Sequence, residues 1–245
     1  MPKSSTLPIY LSAEWRKLIM VNYEVDPEIL KPYLPKGTEL DLYQGKCLVS
    51  LVGFMFLETR ILGVKFPFHK NFEEFNLRFY VRYLENGVWK RGTVFISEIV
   101  PKYMIPLVAN TLYREHYKRY PMKHSISSDN GLLKVSYSFK IKNNWNAVSA
   151  EAATPAIPFS SNSLEEFITE HYWGYNRWNE RTTLEYGVEH PQWLTYPVKT
   201  ININCRFEDI YPEEFIPFLY KPYHSALLAE GSEILVRKGS ILKQN

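Results

Sequence analysis

Apolar and polar residues alternate along residues 72–83, and this period of two places successive side chains on opposite faces of a β-strand. One face is apolar and the other is largely polar: Phe75, Leu77, Phe79, Val81 and Tyr83 against Glu74, Asn76, Arg78, Tyr80 and Arg82. Asn86-Gly87 then supplies the residues that a tight hairpin turn prefers. The pattern predicts a strand, a turn and a partner strand over residues 93–100.

Residues 46–56 are apolar on both alternating faces, which is typical of a strand covered on both sides. Shorter β-rich runs predict further strands, at residues 132–141, 184–188, 195–207 and 233–236. Four helices are predicted from capping residues and from apolar spacing of three and four: a short one from Asp26-Pro27-Glu28, the longest over 101–117, one from Ser163 to about His171, and one at Pro212–Phe215. The predicted fold is therefore α+β and mainly β, with a large antiparallel sheet, closed or strongly curved, and helices outside it.

Composition and motifs indicate the number of domains, the class of partner and the cellular location of the protein. No repeat, flexible linker or charge block marks a boundary, so we expect a single domain over residues 1–245. With 29 Lys and Arg against 26 Asp and Glu, the chain lacks the concentrated positive charge that nucleic-acid binding needs. Its longest apolar runs are well short of the roughly 20 residues that span a bilayer. Without an export signal, and with Cys47 and Cys205 far apart, we expect a reduced, cytoplasmic protein.

The polar face of residues 72–83 is the first candidate site. Asn76, Arg78 and Tyr80 present an amide, a guanidinium and a phenol in a row, and such a row inside a small barrel could fix a carboxylate or carbonyl ligand. The alternative interpretation is a solvated sheet face.

Lys102 is a second candidate because it follows an apolar strand at a predicted helix start, where burial would lower its pKa and make it a nucleophile. Glu98 could orient or protonate a neighbouring group. The alternative for Lys102 is an exposed lysine in a first helical turn. The six histidines show no metal-ligand spacing, and hydrolase and phosphate-loop motifs are absent, so we expect no metal and no cofactor.

Several blocks resemble the uncharacterised YqjF-like proteins. They begin with an apolar strand at Trp15, followed by Val25-Asp26-Pro27-Glu28-Ile29-Leu30 and Leu34-Pro35-Lys36-Gly37. They continue with Phe75-Asn76-Leu77-Arg78-Phe79-Tyr80-Val81, Phe95-Ile96-Ser97, the run from Ser163 to Tyr172 and Val188-Glu189-His190-Pro191-Gln192-Trp193. That family resembles a branch of the acetoacetate decarboxylase-like superfamily.

The resemblance implies a single-domain, mostly antiparallel β-barrel with flanking helices, a ligand cavity and assembly as a homo-oligomer. In acetoacetate decarboxylase, a lysine forms a Schiff base with a β-keto acid, and an adjacent lysine lowers its pKa. Tyr103 stands here where the second lysine would be, so the resemblance transfers the fold and a small polar pocket but not the decarboxylase mechanism.

Three functional hypotheses follow. In the first, the barrel binds a small carbonyl or carboxylate metabolite through Arg78, Asn76 and Tyr80, and Glu98 lies nearby. In the enzyme version of this hypothesis, the protein is a decarboxylase-like or other carbon–carbon lyase. Lys102 is then the nucleophile that forms an imine with a keto acid. In the second, a non-catalytic protein holds an apolar metabolite in an aromatic-lined cavity. In the third, the barrel is filled and serves a structural or interaction role.

Overall fold

The computed structural model describes residues 7–65, 70–102 and 117–242 of the 245-residue chain. Strands dominate these ranges. In chain order they are β1 (Ile9–Glu24), β2 (Glu39–Leu40), β3 (Leu48–Ile61), β4 (Phe72–Glu85), β5 (Val88–Val100), β6 (Tyr117–Arg119), β7 (Met122–Asp129), β8 (Leu132–Ile141), β9 (Asn144–Ala153), β10 (Trp173–Arg177), β11 (Thr183–Glu189), β12 (Thr195–Tyr196), β13 (Val198–Asn204), β14 (Ser225–Arg237) and β15 (Ser240–Ile241).

Seven strands form a closed ring, in the order β14-β1-β3-β4-β5-β10-β11, because β11 pairs again with β14. The ring is antiparallel except at the parallel pair of β5 and β10. The second sheet has the order β13-β9-β8-β7. The mainly β fold class and the closed or strongly curved sheet are thus confirmed.

The second sheet packs against the outer face of the ring. Phe75, Leu77 and Phe79 of β4 share one buried cluster with Tyr137 and Phe139 of β8. The opposite, inward face of the ring contributes to another cluster, which includes Phe54, Phe56 and Tyr80. Strand β4 is therefore covered on both faces between Glu74 and Val81, and its polar residues in this stretch cannot face bulk solvent.

The helices are few and short within the described residues. A 3₁₀ helix, Pro27–Tyr33, begins after Asp26, whose side chain accepts a hydrogen bond from the Glu28 amide. Helix α1, Leu164–Thr169, has Ser163 as its N-cap and ends two residues before the predicted boundary. Near the fourth predicted helix are 3₁₀ turns at Phe207–Asp209 and Glu213–Phe215, followed by α2, Ile216–Leu219. In the described ranges, no helix is long and apolar enough for a membrane span.

Several boundaries differ from the prediction for identifiable reasons. The predicted strand at 195–207 is two strands, because Pro197 lacks an amide hydrogen, and β12 and β13 then join different sheets. The predicted helix at 101–117 falls mostly on residues outside the described ranges, but Tyr117 belongs to β6, a parallel neighbour of β5. Strands β7, β9 and β10 were not predicted; β7 is an edge strand with almost no buried face, so it lacks the apolar alternation that marks a strand.

Candidate functional site

A cavity of about 120 Å³ lies inside the strand ring. Every ring strand contributes to its wall, with one example from each being Val236, Trp15, Phe54, Arg78, Glu98, Trp173 and Tyr186. The wall is mainly apolar and aromatic, and its polar side chains are Glu74, Asn76, Arg78, Thr93, Glu98, Tyr117 and His171 together with the two tyrosines Tyr10 and Tyr186. The hypothesis of a filled ring without a cavity is wrong.

Strand β4 supplies three of the polar side chains at alternate positions. Glu74, Asn76 and Arg78 are 3%, 1% and 8% exposed, so the alternative of a solvated face is wrong. Their strand neighbours Phe75 and Leu77 point the other way, into the core beneath the second sheet. The period of two that predicted the strand therefore also sets the direction of its polar row.

A β-bulge in β5 places Glu98 on the same wall. Leu77 pairs with Ser97, but Arg78 pairs with Phe95, so Ile96 is one extra residue in β5. A single extra residue reverses the faces that follow it. Phe95 and Glu98 consequently both line the cavity, whereas Ile96 packs into the core.

Arg78 has weak protein contacts for a buried cation. Its Nη2 donates to the Ile168 carbonyl at 3.4 Å and lies 3.8 Å from the Met20 sulfur. Its Nε has no hydrogen-bond partner, and no acidic side chain forms an ion pair with it, within the described residues. Buried guanidinium groups are normally paired with anions. The Arg78 guanidinium thus has no ion-pair partner within the described part of the protein, although the carboxyl groups of Glu74 and Glu98 belong to the same wall.

Asn76 is hydrogen-bonded to Glu74 rather than to Arg78. The Asn76 Nδ2 donates to Glu74 Oε1 at 2.9 Å, and the Tyr117 hydroxyl donates to Glu74 Oε2 at 3.0 Å. Each carboxyl oxygen of Glu74 therefore accepts a hydrogen bond. The Asn76 Oδ1 has no partner among the described residues.

Tyr80 and Lys102 are not among the described residues that line the cavity, although the Arg78 guanidinium lies 5.8 Å from the centre of the Tyr80 ring. The Tyr80 hydroxyl lies 2.5 Å from Ser50 Oγ, and its ring packs against Phe167 and His171. Lys102 is half-buried just beyond the end of β5, and no lysine is among the described lining residues. The segment 103–116, outside the described ranges, contains no lysine in its sequence.

A buried Asp–His pair beside the cavity was missed in the sequence. His171 Nε2 lies 3.1 Å from Asp41 Oδ2, which also accepts a hydrogen bond from Arg91 Nε at 2.6 Å. Burial lowers the pKa of His171 to about 4, and the positive charges of Arg91 and Arg78 add to this effect. The imidazole is neutral near pH 7. The only sequence feature that singled out His171 was its place in one of the blocks shared with YqjF-like proteins.

The fold is that of acetoacetate decarboxylase-like proteins. The structure is similar to acetoacetate decarboxylase from Legionella pneumophila (TM-score 0.64, 14% identity, 99% of this chain and 92% of that chain). It is also similar to the enduracididine biosynthesis enzyme MppR (TM-score 0.66, 12% identity, 98% and 89%) and to an acetoacetate decarboxylase-like enzyme from Sphingomonas wittichii RW1 (TM-score 0.63, 13% identity, 99% and 97%). At these identities the likeness establishes the fold alone.

The chain belongs to the DUF2071 family, described as "Uncharacterized conserved protein (COG2071)", whose model matches residues 12–233. It is 31% identical over 185 residues to the uncharacterized protein YqjF of Bacillus subtilis strain 168, covering 74% of this chain and 72% of that protein. The resemblance to YqjF-like proteins is thereby confirmed, and the likeness to acetoacetate decarboxylase-like proteins is confirmed for the fold.

Proposed function

We propose that this protein binds a small carboxylate metabolite inside the strand ring, with Arg78 as the anchor for the carboxylate. The observation that carries the proposal is the buried Arg78 guanidinium, which has no acidic partner within the described residues. An uncompensated buried charge is costly, and a bound carboxylate would neutralise it with charge-assisted hydrogen bonds.

The rest of the cavity supports a small ligand with one polar end. Its volume of about 120 Å³ suits a molecule of a few heavy atoms, and aromatic side chains such as Trp15, Phe54 and Trp173 would pack against the apolar part. Among the structural neighbours, MppR is known in a complex with pyruvate, a small keto acid. We assign Asn76 to ligand contact and Tyr80 to support of the wall through Ser50 and His171.

The proposal is one of binding and does not include imine chemistry at Lys102. A Schiff base needs a lysine that reaches the ligand, and no lysine lines the cavity in the described ranges. If the ligand is transformed, Glu98 is the wall residue that we propose as the proton-transfer group. A single domain, a cytoplasmic location and homo-oligomer formation remain predictions.

The test compares two arginines of the same strand. Arg78→Met removes the charge but keeps the aliphatic stem. Arg82→Met is the matched control, because Arg82 is only half-buried, is not among the lining residues, pairs with Glu39 and stacks on Trp89. Binding of acetate, propionate, lactate and pyruvate would be followed by calorimetry or by fluorescence of the wall residues Trp15 and Trp173. We expect Arg78→Met to weaken binding roughly 10- to 100-fold, the range for hydrogen bonds to a charged group, and Arg82→Met to leave it unchanged.

The mainly aromatic wall favours a second candidate, an apolar metabolite bound without catalysis. Native mass spectrometry of the purified protein would then show a hydrophobic ligand that is retained in Arg78→Met. That result, or equal affinity of the wild type and Arg78→Met for every acid, would refute the role proposed for Arg78.

A further inference from the structure

We infer that the ligand carries a hydrogen-bond donor, a hydroxyl or an ammonium group, next to its carboxylate, and that Asn76 Oδ1 is the acceptor for it. This inference rests on the function proposed above. It makes the ligand a small hydroxy or amino acid and excludes plain and keto acids as preferred ligands.

The orientation of the Asn76 amide is fixed by its neighbour. The amide nitrogen faces Glu74, since Nδ2 donates a hydrogen bond to Glu74 Oε1 at 2.9 Å. The other end of the amide is therefore Oδ1, an acceptor. Asn76 is 1% exposed and lines the cavity, yet Oδ1 has no hydrogen-bond partner within the described part of the chain.

A buried acceptor without a partner is uncommon in folded proteins, and where one occurs beside a cavity a ligand is a natural partner. Asn76 and Arg78 are two residues apart on the same strand face, so their Cα atoms are separated by roughly 7 Å. Arg78 Nε also lacks a partner among the described residues. The wall therefore offers a cation and an acceptor from two neighbouring positions on one face of β4.

This pair of groups discriminates between ligands. A hydroxyl or ammonium group next to the carboxylate would satisfy Oδ1, whereas a keto oxygen would set one acceptor against another and a plain methylene would leave Oδ1 unpaired. Sites built to hydrogen-bond a ligand donor reject analogues without it, because the protein group is left unsatisfied.

The experiment uses four acids of three carbons that differ at one position: propionate, pyruvate, lactate and alanine. For the wild type we expect lactate or alanine to bind about tenfold more tightly than propionate and pyruvate, with the better of the two identifying the donor as hydroxyl or ammonium. Asn76→Leu should abolish this preference. Asn146→Leu is the matched control, since it makes the same change at an equally buried asparagine of β9 that is not among the described lining residues, and it should retain the preference.

The experiment can refute the role of Asn76 without refuting the proposed carboxylate anchor at Arg78. If all four acids bind the wild type equally well and Arg78→Met weakens all of them, the carboxylate anchor stands and the role of Asn76 is refuted. If Asn146→Leu loses the preference as Asn76→Leu does, the effect comes from the loss of a buried amide in general and the inference is again wrong. If no acid binds the wild type, the proposed function itself fails. The wild-type comparison decides the inference even if Asn76→Leu does not fold.

Discussion

Two buried histidines lie close enough to Arg78 to be influenced by its charge. Burial lowers the pKa of His171 to about 4 and likewise that of His190 to about 4, and in both cases Arg78 contributes to the decrease. The His190 ring stacks on Trp193 at 4.3 Å, and its Nδ1 lies 2.9 Å from the Pro191 carbonyl. Both rings are neutral in the folded protein near pH 7, so they add no second positive charge beside the proposed carboxylate site.

These histidines should make the fold sensitive to acid. Their folded pKa lies below the unfolded value of 6.5, so the unfolded chain binds more protons between pH 6.5 and pH 4, and the free energy of unfolding decreases as the pH falls through this window. From pH 7 to pH 5, each histidine should account for about 2 kcal/mol of the loss. His190→Phe keeps the stacking and should reduce the loss by about that amount in denaturant titrations, whereas His224→Phe, at an exposed position, should not. An unchanged pH dependence in His190→Phe would contradict this assignment.

At the scale of elements, a glycine determines how the β10–β11 hairpin forms its part of the wall. Gly174 of β10 pairs with Tyr186 of β11, and a Cβ atom at position 174 would overlap the Tyr186 ring. Tyr186 lines the cavity, so the absence of a side chain at 174 lets this ring lie across the strand. Gly174 also pairs with Thr93 of β5, at the parallel step of the ring.

Gly174→Ala should therefore be destabilising by about 3 kcal/mol, at the upper end of the range for overpacked sites. Because the overlap is with one ring, Tyr186→Ala should relieve it, and the double variant should be more stable than the sum of the two single changes predicts. Denaturant unfolding of all four proteins gives the coupling energy. Strict additivity would show that the cost at position 174 arises elsewhere.

The sequence could predict the site residues that lie on a single strand, but not those whose position depends on a bulge or on a distant segment. The polar row of β4 followed from alternation within a single strand, so Asn76 and Arg78 were identified together. Glu98 was placed by a bulge at Ile96, and His171 by a contact with Asp41 from a distant segment; alternation along one strand predicts neither. Strand β1 shows the same limit, since its register shifts interrupt the alternation that would have given its bounds.

At the scale of the whole molecule, the ring is weakest where the β10–β11 hairpin joins it. Two residue pairs, Trp173 with Gly92 and Gly174 with Thr93, connect it to β5, and two more, Val188 with Val236 and Glu189 with Leu235, connect it to β14. By contrast, β3 and β4 pair continuously from Val49 with Phe79 to Phe56 with Phe72. The hairpin also contributes Trp173, Tyr186 and Val188 to the cavity wall.

Regions with the fewest interstrand hydrogen bonds open most readily, so we infer that the hairpin is the part of the ring whose transient opening admits a ligand to the cavity. We therefore expect amide hydrogens of the β10–β11 hairpin to exchange with deuterium faster than those shared by β3 and β4. A carboxylate that binds Arg78 should slow this exchange in the wild type, because it stabilises the closed state, and should have no effect in Arg78→Met. If the hairpin exchanges as slowly as β3 and β4, or if bound ligand slows exchange elsewhere but not there, the ligand enters by another route.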